Sequence, residues 1–166
     1  MIQQKTKQLP KNWEEIEKNG NKFYFEFEPG KEEKIKFIKN PKEPFVGNGG
    51  VFGIKVDKLF FEELNDKEKI AVLWHEYYHK LYNFKKMPML ELKSIFGLRF
   101  NYNYSLEFEA DKFSALKNSA NDCLSFLKTG KRLYNENKVR YNPKKHPSIK
   151  DRIKQIEEIK NDKPKD

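Results

Sequence analysis

Residues 65–82 read NDKEKIAVLWHEYYHKLY, and the other segments of the chain take their meaning from this one. Ile70, Leu73, Trp74, Tyr77 and Leu81 recur at steps of three and four, the period of a helix rather than the alternation of a strand. Asn65, three residues ahead of Glu68, has the form of a capping box, in which each side chain satisfies a backbone N–H at the start of the helix. The pattern predicts a helix from about Asp66 to Tyr82. Val72, His75, Glu76 and His79 make a second stripe on it, so one stripe is expected to face the core and the other a cleft.

Positions 75–79 read HEYYH, an HExxH arrangement. Side chains four apart on a helix stand one above the other, so His75 and His79 project from the same side and can grip a single ion. Zinc accepts imidazole nitrogen readily, and a catalytic zinc site keeps one position open for water. Glu76 lies beside His75, where its carboxylate can reach such a water without being a ligand. An ordinary amphipathic helix carries such residues by coincidence at times, but this chain has three histidines in all, and chance is a poor account of two at this spacing.

Two imidazoles leave the coordination incomplete, and the third ligand is expected from SLEFEADKFSA, residues 105–115. Leu106, Ala110, Phe113 and Leu116 predict a second helix that fades around residues 118–121, and Glu107 and Asp111 share a different face of it. Glu107 stands 28 residues after His79 and is the expected ligand, with Glu109 as its rival. Asp111 is placed to accept a hydrogen bond from a ligand imidazole and fix its tautomer. A shorter third helix is expected to run to Gly130. A last helix opens at HPSIKD, with Ser148 and Asp151 in capping positions and Ile149, Ile153, Ile156 and Ile159 along one face. By spacing alone, His146 is a loop residue as readily as a site residue.

Ahead of the HEYYH helix, NWEEIEKNG after Pro10 predicts a short helix ended by Gly20. KFYFEFE and EKIKFIK alternate on either side of Pro29-Gly30, a β-hairpin pattern. NPKEPFVGNGG reads as a loop, and VFGIKV as a third strand, at a sheet edge, with Phe52, Ile54 and Val56 on one face. Pro88 and Gly97 interrupt residues 83–103, which read as a mixed connection. The expected architecture is α+β: a small N-terminal antiparallel sheet, then the HEYYH helix, a glutamate helix and a C-terminal helix. One domain is expected over 1–160, with a flexible tail at 161–166.

The chain has 166 residues, 37% hydrophobic and 36% charged, with 14 Phe, 8 Tyr and 2 Trp to build an aromatic core. Its one cysteine, Cys123, excludes an internal disulfide and a thiolate zinc site, and reads as a small buried hydrophobe. No apolar run reaches the roughly 18 residues of a membrane span and the first twenty residues lack a secretion signal, so a soluble cytoplasmic protein is expected. Residues 131–166 hold 12 Lys/Arg against 6 Asp/Glu. Such a surplus attracts nucleic acid or an acidic protein, although it is commonly only a solvated surface, and Tyr134 and Tyr141 are too sparse for a stacking platform.

HEYYH, the EFEAD form of the glutamate helix, and His146-Pro147-Ser148 followed by KDRI resemble, in that order, the HtpX-like and CAAX-prenyl-protease-like gluzincins. The resemblance covers roughly Gly47 to Ile159. It implies a compact zincin-like fold, one zinc ion held by His75, His79 and Glu107, and Asp111 behind the ligands. It also implies His146 near the substrate as a stabiliser of the tetrahedral intermediate, and hydrolysis of a peptide or protein substrate with Glu76 as base. The chain departs from the family in two places. Only 27 residues separate His79 from Glu107, interrupted by Lys85, Lys86, Glu91, Lys93 and Arg99, so no membrane hairpin fits there. Tyr78 stands where the family commonly has glycine, so substrate preference does not carry over. In compactness the chain is similar to the minigluzincins, in which terminal segments can block the cleft. Two other classes of function stand beside the peptidase: a silent, metal-stabilised peptide-binding regulator and a basic nucleic-acid-associated protein. For a peptidase, VFGIKV could take an extended substrate by β-augmentation, with Gly47, Gly49 and Gly50 either admitting close backbone approach or serving only as a loop.

Overall fold

The computed structural model describes residues 9–38, 47–50, 53–95, 104–139 and 146–162. In chain order its elements are α1 (Trp13–Lys18), β1 (Lys22–Glu28), β2 (Lys31–Ile38), β3 (Gly47–Gly50), β4 (Gly53–Asp57) and α2 (Lys58–Glu62). They continue with α3 (Asp66–Ile95), α4 (Tyr104–Lys117), α5 (Ala120–Asn135) and α6 (Ile149–Asn161). The organisation is α+β, as the patterning predicts.

The hairpin forms where the alternation places it, with Phe23 opposite Ile35 and Gly30 at φ 76°, a left-handed conformation that suits glycine at the turn. Phe23, Phe25, Phe27, Ile35 and Phe37 are buried. The sheet is mixed, however, not antiparallel. β2 pairs with β4 in parallel, Ile35 opposite Ile54, and the strand order is β1-β2-β4-β3. VFGIKV is therefore not an edge strand: its residues from Gly53 onward lie inside the sheet, while Val51 and Phe52 fall outside the described residues. The GNGG run, expected in a loop, is the outermost strand and pairs antiparallel with β4. A glycine-rich strand brings almost no side chain to a core and so belongs at the edge, leaving the inner position to Ile54 and Val56, both fully buried. Gly53 permits the tight register, since its φ is 128° and a Cβ there would meet the Lys34 carbonyl at 3.2 Å.

Helix α3 crosses between this sheet and the other helices. The capping box is present: Asn65 Oδ1 accepts from the Glu68 N–H at 3.1 Å, and Glu68 Oε2 accepts from the Asn65 N–H at 2.9 Å. Glu68 also accepts from Ser125 Oγ at 2.6 Å and Thr129 Oγ1 at 2.9 Å, tying the start of α3 to α5. Both stripes of α3 are buried, against the expectation that one would face core and the other open cleft. Leu73, Trp74 and Tyr77 are covered, Phe27 lying 4.1 Å from Tyr77 and 5.0 Å from Trp74 between ring centroids, and so are Val72, His75, Glu76 and His79. Around His75 and Tyr77 the helix is held between two layers, so neither stripe lies open there. It also extends past Tyr82 and through Pro88 to Ile95. One proline deletes one N–H donor, a local cost that a 30-residue helix absorbs.

On α4 the expected apolar stripe turns inward only in part: Ala110 is buried and Phe113 packs against the core. Leu116 is 59% exposed, while the polar Glu107, Asp111 and Ser114 are buried, and Ser114 Oγ donates to the Ala71 carbonyl on α3 at 2.7 Å. α5 starts at its Ser119 cap and carries buried Gly130 within it, five residues short of its end. α6 buries Ile149, Arg152 and Ile156, with Ile153 and Ile159 partly covered, and it includes Asn161, which the sequence reading gives to the tail.

Candidate metal centre

His75 and His79 reach inward from the middle of α3, one turn apart, as the four-residue spacing dictates. Their ring centroids are 4.7 Å apart and their Nε2 atoms 3.0 Å. Glu107, near the start of α4, brings its carboxylate to them, with Oε1 3.2 Å from Nε2 of His79 and Oε2 3.6 Å from Nε2 of His75. All three side chains are buried, and their ligand atoms lie within 4.8 Å of one another. The three residues are so arranged that they can hold a metal ion. Tetrahedral bonds of about 2.0–2.1 Å set neighbouring ligand atoms about 3.3 Å apart, and the 3.0 Å between the two Nε2 atoms and the 3.2 Å from Glu107 Oε1 to His79 lie close to that value.

The charges around this cluster have definite partners. Asp111, one turn after Glu107, places Oδ1 2.9 Å from Nδ1 of His75, close but not aligned as a hydrogen bond. Its negative charge there favours the proton on Nδ1, so Nε2 is the nitrogen that turns toward His79 and Glu107. Burial by itself pulls the His75 imidazole down, but the carboxylates of Asp111 and Glu107 outweigh it and push the pKa up to about 10. A field that holds a proton so strongly on a buried ring is one that suits a cation. Burial pulls the other way on Glu107, yet His146, His75, His79 and Arg152 hold its carboxyl well below the usual range.

Arg152 of α6 is the residue that sequence reasoning missed. It is buried to 1%, donates from Nε to Asp111 Oδ2 at 2.6 Å and from Nη2 to Asp111 Oδ1 at 2.7 Å, and sets Nη1 3.4 Å from Glu107 Oε2. A signal was present: Arg152 stands three after Ile149 and four before Ile156, in the middle of the apolar stripe of α6. An arginine on a buried stripe needs a carboxylate to receive it.

The other candidates fall into place around this core. Glu76 is 3% exposed on α3, next to His75. His146, just ahead of α6, puts Nδ1 3.3 Å from Glu107 Oε2. Glu109 is exposed, so it is no rival to Glu107. Cys123 is fully buried, with Sγ 3.6 Å from the Asp111 carbonyl, and burial raises its thiol well above the ordinary value, as befits a packed hydrophobe rather than a nucleophile. Tyr78 is half-buried against Phe113 of α4, with ring centroids 5.4 Å apart, so an aromatic contact joins α3 to α4 beside His79. Among the described residues, no helix is long and apolar enough to cross a membrane. No family model, curated protein or solved structure matches this chain.

Proposed function

We propose that the chain is a zinc-dependent endopeptidase in which His75, His79 and Glu107 hold the metal and Glu76 is the general base. The observation that carries this reading is the convergence of two imidazoles and one distant carboxylate, all buried, with their ligand atoms within 4.8 Å of one another. The donor set favours zinc over calcium or magnesium, which prefer oxygen ligands alone. Bound zinc would supply a water whose pKa is lowered to roughly 7, and a Lewis acid for the scissile carbonyl.

The remaining roles belong to the chain. Glu76 takes the proton from the attacking water and returns it to the departing amine, its place beside His75 supporting both transfers. His146, adjacent to Glu107, offers a ring N–H to the oxygen on which charge develops. Asp111 and Arg152 do not touch substrate; they hold His75 and Glu107 in position. An extended substrate is better received by the backbone of Gly47–Gly50 than by VFGIKV, because β4 has a strand on each side while β3 has one among the described residues.

Zinc content and cleavage of an unstructured protein, compared between wild type and Glu76→Gln, test the reading. One zinc per chain in both, with cleavage in the wild type alone, is the expected result. Bound zinc without cleavage by the wild type would leave a metal-stabilised peptide-binding regulator in its place.

A further inference from the structure

Two hollows adjoin between α5 and α6. The larger, of 670 Å³, runs from His146, Ser148 and Lys150 at the head of α6 to Lys131 and Tyr134 on α5. The smaller, of 500 Å³, continues past Lys128 and Arg132 to Ile153. Lys131 and Asn135 line both, so the two form one groove. His146 belongs at once to this groove and to the metal centre, where its Nδ1 faces Glu107 at 3.3 Å.

The cations along the groove are not equivalent. Arg132 is engaged by Glu136 at 3.1 Å and Glu63 at 3.4 Å. Asp151, the carboxylate at the α6 end, accepts from Ser148 Oγ at 2.6 Å as part of the helix cap. Lys128, Lys131 and Lys150 are exposed, and among the described residues none of them pairs with a carboxylate. Between them the wall is apolar, with Phe108, Tyr134, Pro147 and Ile149. Three unneutralised ammonium groups beside an apolar wall suit a chain that presents carboxylates together with hydrophobic surface, which describes an acidic peptide better than a nucleic acid.

We propose that this groove binds the part of a peptide substrate lying on the His146 side of the scissile bond and selects acidic side chains there. The inference rests on the peptidase reading for its orientation, but the groove's preference for acidic peptide stands apart from catalysis. Lys131, shared by both hollows, and Lys150, next to the α6 cap, make the main contacts.

The test uses the full chain loaded with zinc and carrying Glu76→Gln, with two fluorescein-labelled peptides of ten residues that differ only in Glu and Asp against Gln and Asn. Anisotropy should show the acidic peptide binding about tenfold more tightly at low salt, the advantage shrinking as salt rises. Adding Lys131→Glu and Lys150→Glu, both at exposed positions, should remove or invert that advantage while the circular dichroism spectrum stays unchanged. Equal affinity for the two peptides overturns the proposal. So does an advantage that survives the double charge reversal, or a single-stranded oligonucleotide of equal charge that binds as tightly as the acidic peptide. Cleavage by the protein with Glu76 restored is measured separately. An acidic preference without cleavage rejects the peptidase reading and keeps the groove, whereas cleavage without the preference rejects the groove alone.

Discussion

Arg152 grips Asp111 with two donors, Nε to Oδ2 at 2.6 Å and Nη2 to Oδ1 at 2.7 Å, and both side chains are buried. The pair joins α6 to α4 directly behind His75. Removing either one strips a buried charge of its main partner, leaving Arg152 facing only Glu107 or Asp111 facing only His75.

Asp111→Ala and Arg152→Met should therefore each lower folding stability by about 3–5 kcal/mol, read by urea unfolding of the zinc-free protein. Asp111→Leu combined with Arg152→Met should recover much of that loss. Zinc affinity should fall about 10–100-fold in the double variant, because His75 loses the carboxylate that orients it. Single variants within 0.5 kcal/mol of wild type would contradict the burial of the pair.

Acid and base should weaken the zinc-free protein through different members of the cluster. Burial alone would raise the Asp111 carboxyl, but Arg152 and His75 hold it below its ordinary value of 3.8. The stability it contributes is present above that pH and lost as pH falls below it, and Asp111→Asn should flatten this limb. His75 has the opposite sign, with a folded pKa of about 10 against an ordinary 6.5. Its contribution is full below pH 6.5 and lost as pH rises toward 10. Zinc uptake, which must displace that proton, should release it to solution, measurable as buffer-dependent heat in calorimetry.

Glu68→Ala should cost about 2–4 kcal/mol, more than a cap residue alone, since the carboxylate accepts from the Asn65 N–H, Ser125 and Thr129 together. Ser125→Ala combined with Thr129→Val removes the tie to α5 and leaves the cap. The two sets of thermal unfolding curves separate the contributions, and equal losses in both would show that the box adds nothing.

Under the peptidase reading, Glu76→Gln should reduce kcat by about 10²–10⁴ with zinc retained, and His79→Ala should lose the metal. Metal analysis beside each rate distinguishes the two outcomes. Full activity in zinc-loaded Glu76→Gln would exclude Glu76 as the base.

The parts of the fold that were legible are those in which one side chain decides locally. Asn65 and Glu68 mark a helix start, Pro29-Gly30 marks a turn, and His75 and His79 mark a shared face whatever surrounds them. What escaped depends on neighbours distant in the chain. The parallel pairing of Ile35 with Ile54 follows from which strand is rich enough in side chains to sit inside the sheet. The apolar stripe of α4 predicts its buried face only in part, because Glu107, Asp111 and Ser114 share the inner side with Ala110 and Leu116 is left outside. There, charges matched by His75, His79, His146 and Arg152 replace the hydrophobic contacts that periodicity detects. Arg152 was hidden for the same reason: its value lies wholly in a carboxylate 41 residues away.

The guanidinium behind the imidazoles arrives on a helix that carries none of the three candidate ligands. A growing polypeptide has already made α3 and α4 before α6 exists, so the crowd of negative oxygens waits for its counterweight until synthesis has passed Arg152. A nick between α5 and α6 would leave Arg152 joined to Asp111 by noncovalent contact alone, though each candidate ligand stayed on the other piece.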